Sequence, residues 1–311
     1  MSSAAPVLTV NAASIDFQNP VLLAAGTAAY GRELEGVMNL DALGGVVTKA
    51  VSPEPRKGAP APRVAEFEGG MINAVGLANP GLDAVKRDDM PWLAANVRSA
   101  RVIVNVVGST LEDFATVVES LDDVARVDAF ELNVSCPNTR AGGLEFGADR
   151  ETLTSLIQRA RAATKRPLFV KLSPTLSSIA DTARAAVDSG ADGITLVNTI
   201  PGLVIDIESR RPALGFGTGG VSGVGLLPVG VLAVWKVSRA VKVPLVGVGG
   251  VTKGTDVVQY LMAGASLVAM GTAAMRDPRA PERVISELSQ WCGDHGVNRV
   301  TDIVGSLKWP S

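Results

Sequence analysis

The chain is poor in the side chains that carry most hydrolytic and metal chemistry. It has one histidine, His295, and two cysteines, Cys136 and Cys292, in 311 residues. Two thiols cannot build a disulfide framework or a four-thiolate metal centre, and one histidine leaves neither a Ser-His pair nor a zinc cluster. Hydrolase and zinc-enzyme readings lose their support on these grounds. Charge of neither sign dominates either: 29 Lys and Arg stand against 31 Asp and Glu, for a formal net charge of -2. No basic stripe points to nucleic acid. No apolar run approaches the roughly 20 residues that span a bilayer. The opening "MSSAAPVLTVNAASIDFQNP" lacks the basic region, apolar run and cleavage site of a secretion signal. The expectation is a soluble cytoplasmic protein.

What the chain does have is short Val-, Ile- and Leu-rich runs at intervals along its whole length. They are "VLLAA" from Val21, "GGVVTKA" from Gly44, "VIVNVV" from Val102, "AFELNV" from Ala129, "LFVKLS" from Leu168, "GITLVN" from Gly193, "PLVGVGG" from Pro244 and "SLVAMGT" from Ser266. Parallel strands covered on both faces read as continuous apolar runs of this kind. Segments with helical spacing separate most of them: "LEDFATVVESLDDVA", "RETLTSLIQRARAAT", "IADTARAAVDSG", "PVGVLAVWKVSRAV" and "TDVVQYLMAG". Two of these end in glycine, a common helix stop. Eight βα units in this length predict an α/β chain folded as a closed (β/α)8 TIM barrel, one domain over 1–311 with 1–18 as a lead-in. An open doubly wound sheet is the structural alternative.

In such a barrel the chemistry lies at the C-terminal ends of the strands. Polar residues gather there. Lys49 ends the second run, Asn105 and Asn133 lie late in the third and fourth, Cys136 follows, Lys171 lies in the fifth, and Asn198 and Thr199 end the sixth. Any one of these has a plain explanation, since asparagine forms turns and lysine snorkels to a rim. Their shared register is harder to explain that way. Glycine clusters "TGGVSGVG", "GVGG" and "MGTA" follow the last three runs. Barrels often bind phosphate at the loops after strands 7 and 8, where glycine lets backbone N–H groups approach an anion. Gly249, Gly250, Gly271 and Thr272 suit that role, with ligand-free tight turns as the alternative. A phosphate site, two interior lysines and no metal ligand set point to a phosphorylated organic cofactor such as FMN. A lysine there can stabilise electron density on a flavin's pyrimidine edge.

Cys136 sits in "ELNVSCPNTR", just past a strand and among Asn133, Ser135 and Asn138, a setting for polar contacts rather than core packing. "VSCPNT", with "NAVGLANPG" from Asn73, "TKAVSPEPRKGAPAPRVAE" from Thr48 and "VNTIPG" from Val197, resembles the class 1 dihydroorotate dehydrogenases, and the proline-rich segment favours the class 1B branch. The resemblance runs from "NPVLLAAG" at Asn19 to "MAGASLVAMGTA" at Met262. It implies an FMN enzyme of pyrimidine biosynthesis that oxidises dihydroorotate to orotate. Cys136 would be the general base, removing the C5 proton while hydride leaves C6 for the flavin. A thiol can do this only where nearby donors or positive charge make its thiolate accessible. The loop "PNTRAGGLEFG", with Gly142, Gly143 and Gly147, would be a mobile lid over the reacting bond. Cys292 lacks such surroundings and is expected to be inert.

The resemblance also implies a binding shell. Flavin contacts would be Ala25, Lys49, Ala50, Asn105, Asn133, Lys171, Val197 and Gly223, with the phosphate at Gly249, Gly250, Gly271 and Thr272. Substrate would meet Lys49, Asn73, Ala74, Val75, Gly76, Leu77, Asn133, Asn138, Asn198 and Thr199. Ala25 stands where the family often has serine, so a side-chain hydrogen bond there is missing. Class 1B enzymes pass electrons to NAD through a separate subunit carrying FAD and an iron-sulfur cluster. Two cysteines cannot hold a [2Fe-2S] cluster in this chain, so the resemblance implies a separate electron-transfer subunit, in a heterotetramer of two catalytic and two electron-transfer chains built on a homodimer. The alternatives are a fumarate-linked class 1A enzyme, a dihydropyrimidine dehydrogenase-like flavin enzyme, and a non-catalytic barrel binding a phosphorylated metabolite.

Overall fold

In the computed structural model, which describes residues 5–135 and 146–310, the eight apolar runs become eight parallel strands that close on themselves. The expectations for Cys136, Asn138, Gly142 and Gly143 lie outside the described residues. The barrel strands are, first to eighth, Val21–Leu23, Gly45–Val47, Arg101–Val106, Ala129–Asn133, Leu168–Leu172, Gly193–Leu196, Leu245–Val248 and Leu267–Met270. They neighbour one another in chain order, and the eighth returns to the first with Val268 opposite Val21 and Met270 opposite Leu23. Almost every residue in them is buried. One set of side chains fills the cylinder and the other meets the helices, which is why the strands show no polar alternation.

The five amphipathic segments form the helices Leu111–Asp122, Arg150–Ala162, Ile179–Asp188, Leu227–Ser238 and Gly254–Ala263. Their starts are encoded locally. Thr110 and Asp113 form a reciprocal capping box, and the side chains of Asp149 and Ser178 accept from the N–H groups of Thr152 and Asp181. Gly264, with φ 115°, stops the last of the five in a left-handed turn that a side chain would strain. Helix Ala280–Asp294 carries Cys292, which is fully buried, and burial pushes its thiol up from the ordinary value. His295 is exposed and stacks on Trp291 with ring centroids 4.2 Å apart.

Two segments differ from the sequence expectation. The lead-in is itself structured: Val10–Ala12 and Ile15–Phe17 form a two-stranded antiparallel hairpin. It is fastened at the N-terminal end of the barrel, where Arg101 Nε donates to the Asp16 carbonyl at 2.7 Å. The glycine run from Thr218 is not a βα turn. Gly219–Gly223 is a strand in a four-stranded antiparallel sheet ordered Ile200–Gly202, Gly219–Gly223, Gly70–Asn73, Val64–Phe67. Close approach explains its glycines. A Cβ on Gly220 would lie 2.0 Å from Thr199 Oγ1, and one on Gly219 would lie 2.6 Å from the Asn73 carbonyl oxygen. This sheet rises from the excursions after the second and sixth strands and stands over the C-terminal end of the barrel as one wall of a cavity.

Candidate functional site

The cavity at that end has a volume of about 650 Å³, and all the described residues of the expected binding shell line it except Ala74. Lys49, Asn73, Asn105, Asn133, Lys171 and Asn198 thus converge from five barrel strands and the wall sheet. Ala74 is turned away into a small apolar cluster with Ala59, Ile72 and Leu214. The alternation of a strand accounts for this, because its neighbours Asn73 and Val75 face the cavity. Its backbone N–H donates to the Arg63 carbonyl at 2.8 Å.

The floor is a buried polar cluster. Asn105 Nδ2 donates to Glu131 Oε1 at 2.7 Å and Thr195 Oγ1 donates to Glu131 Oε2 at 2.8 Å. Asn105 Oδ1 is buried and has no partner among the described residues. A buried amide oxygen left unpaired destabilises a fold by about 1–3 kcal/mol, so its retention marks a place where something else completes it. Lys171 is 6% exposed, and no carboxylate among the described residues lies within ion-pair distance of it. It lies opposite Asn133 on one neighbouring strand and Thr195 on the other. A buried ammonium without a countercharge is unfavourable unless a ligand meets it.

At the far side, Gly249 and Gly250 follow the seventh strand with φ of 125° and 73°. A Cβ on Gly250 would lie 2.4 Å from the Leu227 nitrogen. Tyr260, buried outside the barrel, donates from its hydroxyl to the Gly249 carbonyl at 2.8 Å and fixes this turn from behind. Burial, with Asp256 nearby, pushes that hydroxyl well up, so it stays a donor. Gly271 and Thr272 complete this end, and Thr272 Oγ1 donates to Ser222 Oγ at 2.8 Å. Gly223, φ 119°, passes so near Gly69 that a Cβ would lie 2.6 Å from its carbonyl oxygen.

On the near side, Tyr30 donates to the Ala50 carbonyl at 2.9 Å and the Lys49 N–H donates to Ala29 at 2.7 Å, which sets the backbone carrying Lys49. The segment Val75–Leu77 bends over the opening through two left-handed residues, Gly76 at φ 69° and Leu77 at φ 56°. Leucine is strained there, and the residue lines the cavity. Asn73 Nδ2 donates to the Gly220 carbonyl at 3.3 Å, leaving its oxygen for the cavity. Asn198 is committed largely to protein. Its Nδ2 donates to Ser135 Oγ at 2.8 Å and its Oδ1 accepts from the Thr199 N–H at 2.9 Å. Ser135 is 2% exposed and held between Asn133 and Asn198, so the chain immediately before Cys136 is fixed at the cavity rim. Gly147 donates its N–H to the Val134 carbonyl at 3.0 Å, which joins it to the chain just past the fourth strand.

The family model for dihydroorotate dehydrogenase matches residues 7–291. The chain belongs to the dihydroorotate dehydrogenase family. It is 44% identical over 303 residues to the catalytic subunit of dihydroorotate dehydrogenase B (NAD(+)) from Pelobacter propionicus, covering 97% of this chain and 99% of that one. It is 42% identical, with the same coverage, to the protein of that name from Geobacter sulfurreducens. A putative dihydroorotate dehydrogenase A (fumarate) from Solibacter usitatus is 46% identical over 98% of this chain and 99% of its own. Among solved structures, the Eimeria tenella dihydroorotate dehydrogenase, crystallised with ferulenol, superposes with a TM-score of 0.83 at 26% identity, covering 98% of this chain and 90% of that one.

FMN is the cofactor this family implies, and the residues fit it. The orphaned Asn105 oxygen and the unpaired Lys171 in the floor match a polar ring edge, and the Gly249–Gly250 and Gly271–Thr272 backbone matches a phosphate. Ala25 lines the cavity with only a methyl group, so any contact there is through backbone or by packing. Glu131, Thr195, Thr27, Ser222 and Tyr260 were not singled out from sequence. Thr27 and Ser222 line the cavity, and the other three brace its walls.

Proposed function

We propose that this chain, as one barrel domain over 1–311, oxidises dihydroorotate to orotate in pyrimidine biosynthesis, with Cys136 as the proton acceptor. FMN, when bound, supplies the two-electron acceptor for the hydride that leaves C6. The observation that carries the reading is the cavity whose floor holds an Asn105 oxygen and a Lys171 side chain that, among the described residues, have no hydrogen-bond partner and no ion-pair partner respectively.

Each described residue has a task that its position supports, and Cys136 and Asn138 take theirs from the sequence resemblance. Gly249, Gly250, Gly271 and Thr272 hold the phosphate through backbone N–H groups, and Ala25, Ala50, Val197 and Gly223 pack the flavin. Lys171 and Asn105 meet its polar edge, and Lys171 stabilises negative charge arriving there. Lys49 attracts the substrate carboxylate. Asn73, Asn133, Asn138, Asn198 and Thr199, with the backbone of Val75–Leu77, match the flat amide edge of the pyrimidine. Ala74 serves by shaping that backbone from behind. Cys136, which follows the anchored Ser135 in the chain, takes the C5 proton, a task open to a thiol only where donors or positive charge make its thiolate accessible. The same reading puts the enzyme in the cytoplasm.

The reading extends to a class 1B assembly, in which a separate subunit with FAD and [2Fe-2S] takes the electrons to NAD. The names of the Pelobacter and Geobacter relatives support it. Leu203, Ile205 and Ile207, on the excursion after the sixth strand, are exposed apolar side chains available for subunit contact. The Solibacter relative's name favours a second reading, direct reduction of fumarate by a homodimer.

The test is direct. Purified protein is expected to be yellow, and dihydroorotate added without oxygen bleaches it. Bleaching by dihydrouracil instead moves the reading to a dihydropyrimidine dehydrogenase, and a colourless protein with no affinity for FMN ends it. Reoxidation of the bleached enzyme by fumarate, or by NAD only when an FAD-containing subunit is present, separates the two classes.

A further inference from the structure

Glu131 is a charged residue in the interior of the barrel that the proposed chemistry does not use. It is 2% exposed, and the two residues it binds, Asn105 and Thr195, are each 1% exposed. Asn105 lies opposite it on the third strand, and Thr195 comes from the sixth. An apolar trio would pack here at lower desolvation cost, so the arrangement calls for a reason other than stability.

The reason lies in direction. An amide side chain has a donor end and an acceptor end, whereas a carboxylate only accepts. With Glu131 Oε1 2.7 Å from Asn105 Nδ2, a reversed amide would place two acceptor oxygens in contact and be repelled. Glu131 Oε2 accepts from Thr195 Oγ1 at 2.8 Å, which holds the carboxylate in place. The Asn105 N–H donates to Thr48 Oγ1 at 3.2 Å, which fixes the backbone at this point. Asn105 therefore has one orientation, its oxygen buried and without a partner among the described residues, in a residue that lines the cavity.

We infer that Glu131 is a positioning residue: by holding the Asn105 amide in one sense, it makes the floor an acceptor that selects the single ring N–H between the two carbonyls of the flavin's pyrimidine edge. This rests on the FMN reading above. With the amide reversed, its NH2 group would face that ring N–H, donor against donor. The selection is made by a residue that does not touch the ligand.

The test is FMN binding to flavin-stripped protein, read by quenching of flavin fluorescence, in four proteins. Glu131→Gln is isosteric but can donate, so the Asn105 amide is free to reverse, and Kd is expected to rise about tenfold. Asn105→Asp sets two carboxylates together and weakens binding at least as much. In the double variant the introduced glutamine donates to the introduced aspartate, whose other oxygen restores the acceptor. Its Kd is expected to return to within about threefold of native, tighter than either single variant. A residue that merely fills space would show no such rescue. Glu131→Gln binding as tightly as native, or a double variant weaker than both singles, overturns the inference. Should Glu131→Gln fail to fold by thermal melting, native protein titrated with 3-methyl-FMN decides: discrimination of at least about tenfold against that analogue supports the acceptor, and equal binding overturns it. Native protein that binds no FMN defeats the flavin reading itself, whereas native binding with an indifferent Glu131→Gln defeats only this inference.

Discussion

Asn19 and Asn105 are both buried asparagines, at opposite ends of the same barrel, and the structure treats them differently. Asn19, just before the first strand, spends its whole side chain on protein. Its Oδ1 accepts from the Val21 and Gly44 N–H groups at 3.1 Å each, and its Nδ2 donates to the Ala42 carbonyl at 2.9 Å. Asn105, at the C-terminal end of the third strand, pairs its amino group and, among the described residues, leaves its oxygen unmet. Other polar residues at the N-terminal end follow Asn19. Asp128 accepts from the Val102 N–H at 2.8 Å, and Asp192 from the Leu168 N–H at 2.9 Å, each with an arginine beside it. One end of the barrel closes its hydrogen bonds on itself and supports the fold. The other leaves donors and acceptors facing a cavity, which is unfavourable until a ligand completes them.

The strongest way to break this contrast is at the chemical end. Cys136→Ala is expected to retain FMN and lose flavin reduction by dihydroorotate by about 10²–10⁴, the usual scale for removing a general base. Anaerobic stopped-flow at saturating substrate measures it, and unchanged bleaching removes Cys136 from the mechanism. Lys171→Ala is next, with reduction slowed by about 10² because a preorganised charge is lost from the site. A defect confined to substrate affinity would contradict the task given to Lys171.

The barrel could be read from sequence because its strands are buried on both faces, so "VIVNVV" and "LFVKLS" stand out as unbroken apolar runs. The site could be read where polar residues interrupt the ends of those runs, as Asn105, Asn133 and Lys171 do. Glu131 was hidden inside such a run, "AFELNV", where nothing marks which face it takes. Its partners Asn105 and Thr195 stand 26 and 64 residues away, a proximity only the closed cylinder creates. Gly219–Gly223 escaped because glycine has little intrinsic strand preference, and its pairing with Gly70–Asn73 is a long-range contact. Ala74 was assigned by its place in "NAVGLANPG", and the alternation carried on past the strand Gly70–Asn73 turned it away from the cavity. Cys136 and Asn138 lie outside the described residues, and their part rests on sequence.

A smaller effect sharpens the comparison from the structural end. Asn19→Ala leaves the Val21 N–H and the Ala42 carbonyl without a protein partner and is expected to lower unfolding free energy by about 2 kcal/mol. Its FMN affinity should match the native protein. Because a ligand stabilises the folded state only through its concentration relative to Kd, saturating FMN should raise the melting temperature of both proteins by nearly the same increment. A smaller increment in the variant would mean that the two ends of the barrel are coupled.

The least effect is expected from Asp41, and its pH dependence has a definite sign. Its Oδ1 accepts from the N–H groups of Ser99 at 2.7 Å, Arg98 at 2.8 Å and Ala100 at 3.1 Å, tying the loop before the third strand. Partial burial on its own would raise this carboxyl, but those N–H donors, with Arg126 beyond, outweigh it and hold the group below its ordinary value. A carboxyl depressed in the folded state contributes stability above its unfolded value, near 3.9, and loses it as pH falls through the folded value. Asp41→Asn keeps the side-chain shape and an acceptor but removes the charge. At pH 7 it should destabilise by about 1 kcal/mol or less, since the group is only partly buried and solvent screens it. In urea melts the gap between native and variant should narrow progressively below about pH 4. A gap that stayed constant into acid would mean that these N–H groups respond to the shape of the side chain and not to its charge.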